Sequence, residues 1–232
     1  MSESAMARPS MVRRGVKAVL PAGRRMRTLP FGIGRGLRMG LDLRGGHLGL
    51  YFGLYEIELN RPLRRLCYPG VRSFDIGGQM GYDALVLAKL SGGEVLTVEC
   101  ESHWCEVIKD NVAANPDLNR SVAVLAAFVD DRTSGDGHRV AIDDLVTQFF
   151  VPQFIKIDIE GGEVAALRGA SRTLSEHKPG LLIEVHSLAL EAECLEILRG
   201  HGYAPDVVNQ RRVLPDYRPL AHNRWIIASG RS

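Results

Sequence analysis

The sequence predicts an α/β fold, a doubly wound and mostly parallel sheet with helices on both faces. Two observations lead there. From Leu48 onward, strand-like apolar runs alternate with helix-like segments, and no internal repeat interrupts them. The stretch IKIDIEGGE (155–163) alternates isoleucine with charge at period two, stops at two glycines, and runs into EVAALRGA, whose spacing is helical. A strand feeding a helix is the unit of a parallel sheet, whose central strands are ordinarily apolar on both faces. Lys156, Asp158 and Glu160 on one side of such a strand therefore need a reason to be there.

Taken in order, residues 1–44 are rich in Arg, Gly and Pro and read as a basic N-terminal extension, with short helices around 11–19 and 35–41. One domain is expected over residues 45–232. ELNRPLRRLC (58–67) reads as a short helix and CYPG as a turn. VRSFDIG (71–77) is the first strand, MGYDALVLAKL (80–90) a helix and EVLTVE (94–99) the second strand. HWCEVIKDNVAAN (103–115) places Trp104, Val107, Ile108 and Val112 at helical spacing. SVAVLAAFV (121–129) is the third strand and TSGDGH (133–138) a loop. FIKIDIE (154–160) is the fourth strand, EVAALRGASRTL (163–174) a helix, LLIEVH (181–186) the fifth strand, LEAECLEILRGHG (190–202) a helix and HNRWIIAS (222–229) a terminal strand.

The composition fits a soluble globular chain, with 45% hydrophobic and 24% charged residues among 232. No uncharged apolar run approaches the ~20 residues of a membrane span. The formal charge of +2 conceals an asymmetry: ten of the 29 Lys and Arg but only two of the 27 acids, Glu3 and Asp42, fall in residues 1–44. The leader is cationic and the body acidic. Such a leader is a solvated extension, or one that attracts an anionic membrane surface, nucleic acid or a phosphorylated substrate. The four cysteines (67, 100, 105, 194) form no CxxC and no zinc spacing. They read as thiols of a reducing, cytoplasmic compartment, with Cys67 and Cys194 buried beside leucines.

In a doubly wound sheet, ligands bind beyond the carboxyl ends of the strands, where strand order reverses. The first strand ends in FDIGGQMGY (74–82), where Asp75 precedes Gly77, Gly78 and Gly81. This is a tight turn open to a ligand, although not the Gly-x-Gly-x-x-Gly of a dinucleotide site. The second strand ends in Glu99, 22 residues after Gly77. A carboxylate there is placed to accept hydrogen bonds from ribose hydroxyls. Turn and acid together point to an adenosine-containing cofactor. Asp158 and Glu160 stand at the next rim position, where a cofactor's ammonium or a substrate hydroxyl would lie, while Lys156, deeper, reads as a structural partner of a carboxylate. Glu184 and His186 share a face of the fifth strand, and His186 is a candidate general base.

These residues resemble the FkbM-type S-adenosylmethionine-dependent methyltransferases. IKIDIEGGEVAALRGA followed by LLIEVH carries the resemblance, supported by GLYEIE (53–58), IDDL (142–145) and HNRWIIA (222–228). The likeness covers about residues 48–229 and implies a Rossmann-like, seven-stranded methyltransferase sheet. The family turn usually reads Asp-x-Gly-Ala-Asn-x-Gly, and Gly78 and Gln79 depart from it; Cys100 stands where a proline usually follows the acid.

The resemblance implies methyl transfer from S-adenosyl-L-methionine to a hydroxyl of a sugar, glycolipid or other natural product. Asp75, Gly77, Gly78, Gly81 and Glu99 are then expected to bind the cofactor, and Asp158, Glu160 and His186 to carry the chemistry. Asp158 would serve the cofactor's amino acid end, the acceptor or a divalent ion, and no His-rich ligand set demands a metal. The expected partner is a small-molecule or glycoconjugate acceptor and not nucleic acid, with peripheral membrane contact through the leader as a further expectation. Two other readings compete. The basic leader would suit a nucleic-acid methyltransferase, but the acids of Asp158-Ile-Glu160-Gly161 oppose a phosphate backbone. The altered Gly-Gly-Gln turn would suit a non-catalytic protein that keeps the cofactor fold.

Overall fold

The computed structural model describes residues 20, 22–211 and 224–230. The helix expected around 11–19 and the residues His222 and Asn223 lie outside them. The chain divides into two compact units, Met1–Tyr55 and Glu56–Ser232.

In the first unit, β1 (Arg25–Thr28) and β2 (Arg38–Leu41) pair antiparallel, with Thr28 opposite Arg38. The helix expected over 35–41 is therefore a strand. Pro30, Gly32, Gly34 and Gly36 disfavour a helix through this stretch, and Gly36 and Leu37 instead close the connection by backbone bonds with Leu29. A single helical turn, α1 (Leu48–Tyr51), follows.

The second unit opens with a 3₁₀ turn (Ile57–Leu59) and α2 (Asn60–Leu66). Then come β3 (Ser73–Ile76), α3 (Tyr82–Ser91), β4 (Val95–Glu99), α4 (Ser102–Ala113) and β5 (Val122–Ala126). The short strands β6 (Phe128–Val129) and β7 (Arg139–Val140) pair with each other and precede α5 (Ile142–Gln148). Next are β8 (Phe154–Ile157), α6 (Glu163–Arg168), α7 (Ser171–Glu176), β9 (Gly180–Val185) and α8 (Leu188–Gly200), closing with β10 (Asp206–Asn209) and β11 (Arg224–Ala228). The main sheet has seven strands in the order β10-β11-β9-β8-β3-β4-β5. Five strands are parallel, and β11 and β10 join antiparallel at the β9 edge. This is the doubly wound sheet that the alternation of elements predicts. Phe74, Ile76, Leu96, Ile155, Ile157, Leu181 and Ile183 from its central strands are buried with Ala166, Leu167 and Leu174 of α6 and α7.

Three boundaries differ from the sequence expectation, each for a local reason. The strand expected over 121–129 breaks after Ala126, because Ala127 donates to Glu99 and the next residues turn to pair with Arg139 and Val140. The strand expected through Glu160 ends at Ile157, which puts Glu160 into solvent instead of the sheet interior. The helix expected over 163–174 divides into α6 and α7 around Gly169. The carbonyl of Gly169 accepts from Asp143, and a side chain at position 169 would meet the Asp130 carbonyl at 2.3 Å.

Asp143, in the IDDL stretch, stabilises the second of these helices. Its carboxylate accepts from the Thr173 amide at 2.8 Å, the Thr173 hydroxyl at 2.6 Å and the Arg172 amide at 2.9 Å. Amides in the first turn of a helix have no partner within it, so α7 is capped by a side chain from α5. Asp143→Ala should cost about 2 kcal/mol, read as a fall of roughly 4–8 °C in melting temperature.

Candidate functional site

The strand order reverses at β3, whose neighbours are β4 on one side and β8 on the other. The carboxyl ends of β4, β3, β8 and β9 therefore line one crevice edge in that spatial order, and the residues singled out from the sequence all lie at or just beyond those ends.

The charge on IKIDIEGGE is explained first by pairing. Lys156 is 1% exposed, and its ammonium lies 2.9 Å from Asp83 Oδ2, on the first turn of α3, and 3.1 Å from Asp158 Oδ2. Burial alone would push this ammonium's pKa down. The carboxylates of Asp158, Asp83, Asp75 and Glu56 outweigh it and hold the pKa well above the ordinary lysine value. Lys156 is thus the structural partner expected of it, and it fastens the start of α3 to the end of β8.

In the sheet, Thr97, Asp75 and Lys156 stand in register on adjacent strands. The Thr97 hydroxyl donates to Asp75 Oδ2 at 2.9 Å, while Asp75 Oδ1 has no hydrogen-bond partner among the described residues. Burial pushes the Asp75 carboxyl up to about 7, with Asp83 and Asp158 adding to the effect and Lys156 and the Thr97 bond opposing it. The lysine makes its contacts with Asp83 and Asp158, so burial dominates at Asp75 and favours its neutral form beneath the turn.

That turn packs against the protein itself. Gly77 has φ +89°, and a side chain there would place Cβ 1.9 Å from the Asp158 carbonyl oxygen. Cβ at Gly78 would meet Thr97 Oγ1 at 2.1 Å. The Gly81 amide closes the turn on the Gly78 carbonyl at 2.7 Å, and Gly81 precedes α3 in the left-handed region. The glycines are therefore required by the approach of β3's end to β8 and β4. Gln79, the departure from the family turn, adopts φ +45° and is exposed. Its amide donates to Glu99 Oε2 at 2.8 Å, and the Glu101 amide donates to Glu99 Oε1 at 2.9 Å. Two backbone donors thus fix the Glu99 carboxylate, whose remaining lone pairs can accept from a pair of ligand hydroxyls.

On the other side of the crevice the structure brings Asp158 and His186 together, with Asp158 Oδ1 3.8 Å from His186 Nε2. It separates Glu160 from them: Glu160 is exposed and acts on His186 only through its charge. Two carboxylates complete the group. Glu184 Oε1 lies 3.9 Å from His186 Nε2, and Glu163 Oε1 lies 2.6 Å from His186 Nδ1. Both glutamates are fully buried. A carboxylate only accepts, so Nδ1 carries the proton and Nε2 faces Asp158 and Glu184. The Glu163 bond raises the His186 pKa against the effect of burial, and the charges of Asp158, Glu163 and Glu160 add to it. Glu163 was not among the candidates from sequence, because at the start of a helix a glutamate needs no further explanation. Its spacing from His186, 23 residues on, signals nothing until the fold joins α6 to β9. Asp158, Glu184 and His186 also bring one ligand atom each within 4.8 Å of one another, a donor set that no sequence spacing announces.

The comparisons agree with this architecture. Residues 138–205 match the family model of the methyltransferase FkbM domain. The match contains IDDL, IKIDIEGGE and LLIEVH; GLYEIE and HNRWIIA fall outside it. No curated protein matches the sequence. Among solved structures, a methyltransferase FkbM from Methylobacillus flagellatus KT superposes with a TM-score of 0.56 at 24% identity, covering 68% of this chain and 43% of that one. The chain thus spans less than half the length of that protein. A precorrin-6y C5,15-methyltransferase from Geobacter metallireducens gives 0.55 at 15% identity, over 77% and 90% of the two chains. An O-methyltransferase from Bacillus cereus, solved with S-adenosylhomocysteine, gives 0.52 at 17%, over 75% and 79%. The fold is that of the Rossmann-like methyltransferases. Among the described residues no helix is long and apolar enough to cross a membrane.

Two outcomes test the buried charge network. Lys156→Met leaves Asp83 and Asp158 without their shared cation and should destabilise the protein by about 3–5 kcal/mol in denaturant melts. Adding Asp83→Asn should restore part of the loss. Asp75, with its folded pKa raised from 3.8 to about 7, binds a proton in the folded state that the unfolded chain has already released between those values. Its contribution to stability is therefore full below pH 3.8 and is lost as pH rises to about 7. Asp75→Asn removes that loss. The stability of the variant relative to wild type should rise from pH 4 and level off above about pH 7 in a series of chemical melts.

Proposed function

We propose that this chain is an S-adenosylmethionine-dependent methyltransferase acting on a hydroxyl of a sugar, glycolipid or other small natural product. The observation that carries the reading is the division of one crevice edge into two halves. The turn 77–81 and the fixed Glu99 carboxylate stand on β3 and β4, and Asp158 and His186 on the adjacent β8 and β9. The first half suits the adenosine end of the cofactor, with Glu99 accepting from the ribose hydroxyls. The neighbours solved as methyltransferases and the FkbM-domain match support the choice of cofactor.

Bound S-adenosylmethionine would supply a methyl already activated by its sulfonium, with a neutral thioether as the leaving group. The protein's part is alignment of the acceptor oxygen and disposal of its proton. Asp158, fixed by Lys156, and His186, fixed by Glu163, present Oδ1 and Nε2 to that oxygen. Glu160, exposed at the rim, is placed to meet the acceptor's outer part and not the reacting oxygen.

Calorimetry with S-adenosylmethionine should show one site per chain, weakened at least tenfold by Glu99→Ala, about 1.4 kcal/mol. Binding of NAD in its place would overturn the cofactor assignment. With a labelled methyl donor and extracted small molecules and lipids, Asp158→Asn should lower transfer about 10²–10⁴-fold while cofactor binding stays within threefold of wild type. A product methylated on carbon or nitrogen would overturn the choice of hydroxyl.

A further inference from the structure

We propose that Asp158, Glu184 and His186 hold a divalent transition-metal ion such as Mn²⁺. The site deepens the proposed function, because it lies on the acceptor half of the crevice edge, but its existence does not depend on that function. Donor geometry, the hold on the imidazole and the buried charge each point to the ion independently. The donor set is mixed, with one imidazole and two carboxylates, and its ligand atoms lie within 4.8 Å of one another. The pairs from His186 Nε2 to Asp158 Oδ1 and Glu184 Oε1 measure 3.8 and 3.9 Å. Donors that share one ion at about 2.1 Å are separated by roughly 3–4 Å, so little movement brings them onto a common centre.

The second element is how the imidazole is held. Metal-binding histidines ordinarily donate their other N–H to a carboxylate, which fixes the ring and turns the free lone pair to the ion. His186 makes that contact with Glu163 at 2.6 Å. Glu163 is fully buried, faces His186 with Oε1, and keeps Oε2 without a hydrogen-bond partner among the described residues. The third element is charge. Glu163 and Glu184 are taken out of water beside Asp158, whose Oδ2 meets Lys156 and whose Oδ1 lies 3.8 Å from His186 Nε2. Carboxylates gathered at this depth are stabilised by a cation among them. Two carboxylates with one imidazole and no sulfur suit a first-row divalent ion such as Mn²⁺, whereas Mg²⁺ takes oxygen ligands.

The ion would stand where an acceptor hydroxyl meets Asp158 and His186, and coordination would lower the pKa of that hydroxyl. His186 then serves as a ligand with its Nε2 lone pair, and the proton of the acidified hydroxyl passes to water at the rim, where Glu160 is exposed.

The test is titration of Mn²⁺ into the purified protein, without cofactor or acceptor, followed by the loss of the free-ion electron paramagnetic resonance signal. One ion per chain is expected. Glu184→Gln and His186→Asn should each weaken binding at least tenfold, and Glu163→Gln about tenfold through the loosened ring. Glu106→Gln, at an exposed acid elsewhere, should leave it unchanged. Circular dichroism checks that each variant folds, and having two ligand variants keeps the outcome decisive if one does not. No saturable binding, or binding indifferent to both Glu184→Gln and His186→Asn, overturns the proposal. Either result leaves the calorimetric test of S-adenosylmethionine binding standing on its own.

Discussion

The crevice depends on one buried ammonium. Lys156 sits at the centre of a parallel sheet, where an uncompensated charge would cost several kcal/mol, and it is stable there because two carboxylates from different elements close on it. Asp83 brings the start of α3, and with it the end of the glycine turn. Asp158 brings the end of β8. The same ion pair therefore fixes the relative position of the two structures on either side of the switch point. It also acts on Asp75, which gains the field of the lysine but not its contact, so that burial still raises its pKa beneath the turn.

Around this pair the polar groups are arranged in a second tier. Glu99 is held by amides, Asp158 by a lysine and His186 by a buried glutamate. Each group facing the crevice is thus oriented by a partner set farther inside, which is how a site keeps its geometry without a ligand. Asp143 shows the same economy away from the site, where one carboxylate supplies three hydrogen bonds to the first turn of α7.

Much of this was legible in the sequence, and the misses have physical causes. The strand–helix alternation gave the sheet, because period two and period 3.6 are imposed by burial on one face. The Lys156 pairing was legible because a charge on a central strand has few stable alternatives. The hairpin of residues 25–41 was not: β1 carries Arg25 and Arg27 among its four residues and β2 opens on Arg38, so neither shows the apolar alternation of a strand. Nor was the role of Glu163, since contacts between residues 23 apart come from topology and leave no local pattern. The extent of β8 was overread for a related reason. Alternation continues through Glu160, yet nothing in the spacing says where pairing to β3 stops; the solvation of Glu160 decides it.

The contact of Gly77 with the Asp158 carbonyl has a consequence for how such a site can change. The two backbones lie too close for any side chain between them, and the Asp158 amide also bonds to Ile76 at 2.8 Å. The ends of β3 and β8 are thereby joined in one close seam. A substitution that shifts one shifts the other, so under the proposed assignment acceptor preference cannot be changed along it without disturbing the cofactor side as well. Change is left to side chains beside the seam that do not form it, such as the exposed ones of Gln79 and Glu160.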